Sequence, residues 1–129
     1  MNKKLLIVLI ITLITSNINI CEARQMQDYD SIVIEALNKI TGKTSEIKAS
    51  VNSEVKFGNL NISIFSCQKS SPLDTPESAA FLQVYERQTL RFSGWMFASS
   101  PGVSAMDHPV YDIWIKDCFN KENKEEIKN

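Results

Sequence analysis

The feature that most limits what this chain can fold into is a period-two alternation of apolar and polar residues, broken at short intervals by turn residues. Leu60, Ile62 and Ile64 alternate with Asn61 and Ser63. That spacing puts one face of a strand on a core and the other in water. The same period runs through Ile47, Ala49 and Val51, then Val55 and Phe57, with Asn52-Ser53 and Gly58-Asn59 as turns between them. It returns over Ala79 to Arg87, Leu90 to Ala98 and Val110 to Phe119. Pro72 and Pro76 among serines make Gln68 to Ser78 a loop. Ser31 to Ile40 fits two periods. Tyr29, Ile32, Val33, Ala36, Leu37 and Ile40 would share a helical face, but Ile32-Val33-Ile34 is β-branched throughout and Thr41-Gly42 offers a hairpin turn, so strand is preferred. Six to seven short strands predict an all-β fold, a small antiparallel sandwich or barrel, and the pattern does not choose between those two.

The first 23 residues follow a different rule. Lys3 and Lys4 precede an apolar run from Leu5 to Ile14, broken only by Thr12. Polar Thr15, Ser16, Asn17 and Asn19 follow, and then Cys21-Glu22-Ala23. This is the order of a secretory signal peptide with cleavage after Ala23. A membrane anchor needs about 20 apolar residues, roughly twice this run. A lipid-bearing Cys21 would follow bulky Ile20, where a small residue is usual. The expected organisation is therefore a signal peptide over 1–23, a flexible lead-in over 24–30, one β domain over 31–119 and a disordered charged tail over 120–129. The expected location is periplasmic or secreted.

Processing changes the charge and the cysteine count. Removing Lys3, Lys4 and Glu22 from 14 basic and 15 acidic residues leaves 12 and 14, a formal charge of −2 on a 106-residue chain. That balance fits neither nucleic-acid binding nor attraction to a membrane surface, and the processed chain holds no spanning segment. Two cysteines remain, Cys67 and Cys118. In an oxidising compartment an even pair reads as one disulfide. No Cys-x-x-Cys spacing marks a redox pair.

Both tryptophans and the only histidine lie between Phe92 and Cys118. Ser99, Ser100, Asp107 and His108 invite a hydrolase reading, with His108 served by Asp107 or Asp112. A triad is recognised by geometry, however, and no Gly-x-Ser-x-Gly turn is present. Short polar side chains in a loop ordinarily bond its backbone. One histidine and a paired set of cysteines cannot supply a zinc site, and Met96 and Met106 read as packing rather than copper ligands. No catalytic residue, metal or cofactor is assigned. The aromatics carry more. Trp95 and Phe97 share one strand face, and Leu90, Phe92 and Met96 the other. Tyr111 and Ile113 alternate with Asp112 and Trp114. Either both faces are core, or one aromatic face stays open for a partner. The candidate binding residues are Trp95, Ser99, Ser100, Asp107, His108, Tyr111, Asp112 and Trp114.

The run Phe92-Ser-Gly-Trp-Met-Phe-Ala-Ser-Ser-Pro101, then His108-Pro-Val-Tyr-Asp112 and Cys118, resembles an uncharacterised bacterial family, domain of unknown function 2155. Leu37 to Gly42, Phe57 to Ile62 running on to Cys67, and Pro76 to Leu82 fit the same family. The resemblance covers about Ile34 to Cys118. It implies small exported proteins with both cysteines, and an extended reading of Leu37 to Gly42. It brings no activity, cofactor or catalytic residue. The expected function is a non-enzymatic binding or structural module of the cell envelope, with another envelope protein or a peptide as partner. The alternative is the hydrolase-like enzyme built on His108.

Overall fold

The structure is a computed structural model that describes residues 1–15, 21 and 23–122. The period-two segments become eight strands: β1 (Met26–Asp28), β2 (Ser31–Asn38), β3 (Lys43–Ser50), β4 (Glu54–Phe57), β5 (Leu60–Ser70), β6 (Ser78–Glu86), β7 (Thr89–Phe97) and β8 (Tyr111–Phe119). The ambiguous segment at 31–40 is the strand β2. Its β-branched triplet sits at the centre of a sheet, where Ile32 and Ile34 are wholly buried. The apolar run near the start forms a helix, α1 (Lys3–Thr15), whose residues from Leu5 to Ile11 are all at least 45 % exposed. No described helix is long and apolar enough to cross a membrane.

Two antiparallel sheets face each other, so the architecture is a sandwich rather than a barrel. The larger runs β1-β5-β6-β7, with β4 also paired to β5, and the smaller runs β3-β2-β8. Leu60, Ile62 and Ile64 of β5, with Ala80, Leu82 and Val84 of β6, meet Ile32, Ile34, Ile113 and Ile115 from the other sheet. All ten side chains are at most 2 % exposed. Burying an aliphatic side chain contributes about 1.5–3 kcal/mol, so this alternating set holds the sheets together.

Two β-bulges set the disulfide. Opposite β6, Ile64 pairs with Leu82 but Ser66 pairs with Phe81, which leaves Phe65 as an extra residue. Opposite β2, Ile115 pairs with Ile34 but Asp117 pairs with Val33, which leaves Lys116 over. Each bulge shifts the strand's parity by one. Without it Cys67 and Cys118 would point to solvent. With it each lies inward, three residues after a buried isoleucine, and each is 1 % exposed. They form a disulfide across the sandwich, with Cα atoms 5.7 Å apart. Cys67 does not end its strand, because β5 continues to Ser70.

Two expected boundaries change. The lead-in at 24–30 is not loose throughout, because Met26, Gln27 and Asp28 pair with Ser70, Lys69 and Gln68 along the edge of β5. The tail expected from 120 on starts as an anchored segment. Asn120 Oδ1 accepts the Asp30 N–H at 3.0 Å, and the Lys121 N–H reaches Asp30 Oδ1 at 3.2 Å. Residues 123–129 lie outside the described residues.

Candidate functional site

The outer face of the larger sheet is the least expected surface of the molecule. The inward side chains are Ala80, Leu82 and Val84 in β6 and Phe92 and Met96 in β7, so Phe81, Trp95 and Phe97 fall on the outward face. Phe65 of β5, Phe81 of β6 and Trp95 of β7 stand in a row across three strands. Phe81 meets Phe65 at 6.0 Å and Trp95 at 5.7 Å between ring centroids, both edge to face. Phe65 follows buried Ile64, so its ring falls on the same outward face. Edge-to-face pairs of this kind add about 0.5–1.5 kcal/mol beyond burial. The row nonetheless stays open: Phe65 is 48 % exposed and Trp95 38 %. No described element covers it.

One end of the row opens into a groove of about 420 Å³. Met26, Ala79, Trp95 and Phe97 form its apolar walls, and Arg24, Gln68 and Glu77 bring polar groups to it. The polar end is organised by Glu77. Its carboxylate accepts the hydroxyl of Ser99 and the N–H groups of Ser99 and Ser78, the latter two at 3.0 Å each. The Arg24 guanidinium lies 3.9 Å away. Burial pushes the Glu77 carboxyl up, but the Ser99 and Ser78 hydrogen bonds outweigh it and hold the group below its ordinary value. Arg24 keeps donors for something else, because a single contact at this distance engages little of its fork.

His108 lies in the connection that crosses from β7 to β8, and it is 2 % exposed. Its Nδ1 accepts the N–H groups of Val110 at 3.1 Å and Tyr111 at 3.0 Å, which leaves Nε2 as the ring's donor nitrogen. Nε2 comes within 3.3 Å of Glu86 Oε1. The direction is poor, and Nε2 has no well-aimed hydrogen-bond partner. Glu86 is held below its ordinary value mainly by Arg91, whose Nε donates at 2.9 Å, with His108 contributing less. The His108 ring stacks on Tyr111 at 5.3 Å, and Tyr111 meets Phe57 edge to face at 5.4 Å. The Lys39 ammonium caps the His108 carbonyl at 2.8 Å. Taken together, these contacts seat the crossover on the two sheets, and Met106 plugs the core beside them.

The eight residues singled out from the sequence therefore do not converge on one site. Trp95 belongs to the outer row and Ser99 to the Glu77 cluster at its end. Ser100 and Asp107 are exposed loop residues. His108 and Tyr111 pack inside the crossover. Asp112 and Trp114 are half-buried on the outer face of the smaller sheet, where they pair with Leu37 and Glu35. That face is opposite the one carrying Trp95. His108 meets a carboxylate, but that of Glu86, and neither Ser99 nor Ser100 bonds to it. The hydroxyl of Ser99 is committed to Glu77.

Phe65, Phe81, Arg24 and Glu77 escaped the sequence reading. Phe81 was visible as an alternating strand residue on the same face as Gln83 and Tyr85. Phe65 follows buried Ile64 in the same alternation and faces outward with or without the bulge. Arg24 and Glu77 are brought together by the short pairing of β1 on β5.

The fold and surface define a disulfide-stapled β-sandwich with an open aromatic face. The chain belongs to the bacterial family described as "Uncharacterized protein conserved in bacteria (DUF2155)", matched over residues 32–118. It is 37 % identical over 102 residues to "Uncharacterized protein RP359" of Rickettsia prowazekii (strain Madrid E). That match covers 74 % of this chain and 64 % of the relative. No solved structure matches.

Proposed function

We propose that this protein is exported, loses residues 1–23, and acts in the bacterial envelope as a non-enzymatic module that binds another protein. Its contact surface is the outer face of the larger sheet. The observation that carries this is the row of Phe65, Phe81 and Trp95, two of whose rings stay open to solvent. Aromatic residues left open beside polar groups are what interface centres are made of. The rings stand at 64° and 68° to their neighbours, so they offer slots for inserted side chains rather than a flat platform for sugars. Export is supported by the order of the first 23 residues, with basic Lys3 and Lys4 ahead of a short apolar helix. A buried disulfide, which forms and persists in oxidising compartments, also supports it.

Crosslinked capture of the tagged protein from its own envelope tests this reading. Wild type is compared with a Phe65→Ser, Trp95→Ser variant, and the recovered protein is sequenced from its N-terminus. The reading expects Arg24 first and a partner band that the double variant loses. A chain still beginning at Met1, or a partner band equal in both, contradicts it.

A further inference from the structure

Sheet edges invite pairing with other chains, and folded proteins guard them with charge, proline, bulges or brevity. Three of the edges here are guarded. β3 carries Lys43, Glu46 and Lys48, and β8 carries Asp112, Asp117 and its bulge at Lys116. The edge beyond β5 is covered by two short charged strands, β1 and β4. β7 differs. Its bulge and Arg91 lie near its start, and the stretch Phe92-Ser-Gly-Trp-Met-Phe97 has neither a charge nor a proline. Among the described residues β7 pairs with β6 alone.

The direction of its free hydrogen-bonding groups follows from one bond. The Ala98 N–H reaches the Ser78 carbonyl at 2.8 Å, directly across the ladder. Paired residues alternate between exchanging hydrogen bonds and not doing so. Met96 and Gly94 therefore bond β6, while Phe97, Trp95 and Ser93 aim their N–H and C=O groups away from it. The Phe97 carbonyl is already taken by the Ser100 N–H at 3.3 Å. The groups of Ser93 and Trp95, and the Phe97 N–H, remain.

We infer that this edge pairs with the same edge of a second copy of the chain, antiparallel and centred on Trp95. Three properties favour a second copy over an unrelated strand. The outward-aimed residues 93, 95 and 97 are symmetric about Trp95, so a two-fold axis there matches the Trp95 N–H and C=O groups to each other and the Phe97 N–H to the Ser93 C=O. No residue from 92 to 97 is charged, so the symmetry opposes no like charges. The rows of Phe65, Phe81 and Trp95 would also join into one, with the two Trp95 rings as neighbours. This goes beyond the contact surface proposed above, since Phe65 lies two strands from the edge and can serve a partner whether or not the edge pairs.

Sedimentation of the tagged protein, as recovered from its own host, decides the point. Ser93→Pro puts a proline ring where the second copy's strand must lie and removes no bond to β6, and Pro is tolerated where a strand's N–H faces away from its neighbour. Trp95→Lys places a charge against its own copy at the axis. The inference expects wild type to be a dimer at ~10 μM, with either variant at least about 10-fold weaker. Circular dichroism must show the wild-type β spectrum, and Trp95→Lys alone carries the test if Ser93→Pro does not fold. Wild type that stays monomeric at ~200 μM, or dimers that both variants retain, overturn it. A different polypeptide held on this edge in place of a second copy overturns it too.

Discussion

Replacing Cys67 and Cys118 together with Ala removes the covalent link between the two sheets. The bond spans 51 residues. Closing a loop of that length in the unfolded chain restricts its entropy by about 4 kcal/mol. A domain of this size has only about 5–15 kcal/mol in total, so the loss is a large share of it. With a urea slope of about 2 kcal/mol per molar, the unfolding midpoint should fall by about 2 M. Both half-cystines are buried, so the alanines also lose some packing. Wild type under a reductant separates the two effects, because it keeps the sulfur atoms and loses only the link. Equilibrium urea unfolding followed by tryptophan fluorescence gives all three curves. Reduced wild type that unfolds within about 0.5 M of the oxidised protein would refute the reasoning.

Three further outcomes follow from the same geometry. His108→Ala leaves the N–H groups of Val110 and Tyr111 without their acceptor, so it should cost about 2 kcal/mol and lower the melting temperature by about 10 °C in a calorimeter. Gly42 and Gly58 both have positive φ, at 69° and 58°, but a Cβ at Gly42 meets open space whereas one at Gly58 meets the Tyr111 ring. Gly42→Ala should therefore cost about 1 kcal/mol and Gly58→Ala clearly more, by urea unfolding. Glu77 is held below its ordinary 4.5, so its contribution to stability is complete above that pH and is lost as pH falls through the lowered value. Melting curves between pH 6 and 3 should show Glu77→Gln closing on wild type toward the acid end.

The strands were legible because their signal is local. Leu60, Ile62 and Ile64 announce a half-buried strand by themselves, and Asn52-Ser53 and Gly58-Asn59 announce where it must turn. The choice of sandwich over barrel was not local, since it depends on which strand lies beside which across the whole chain. β1 was missed because three residues with one apolar side chain carry no period, and its pairing with β5 supplies what the sequence lacks. The disulfide partners were legible from their number, but their inward direction was not. Strict alternation from Ile64 and Ile115 points both cysteines outward, and only the extra residues Phe65 and Lys116 turn them in. The site was partly legible for the same reason. Trp95 and Phe97 were placed correctly on one face, but His108 drew attention by its chemistry while its backbone partners hold it inside.

The claim that the outer face of the larger sheet is the working surface can be tested inside the living cell. A photo-crosslinking residue is placed at Phe65 in one strain and at Lys48 in another. Phe65 is exposed on that face, and Lys48 is exposed on the edge strand of the opposite sheet. The account predicts one discrete adduct with another envelope protein from position 65 and none from position 48. Adducts from position 48 with none from position 65 would contradict it.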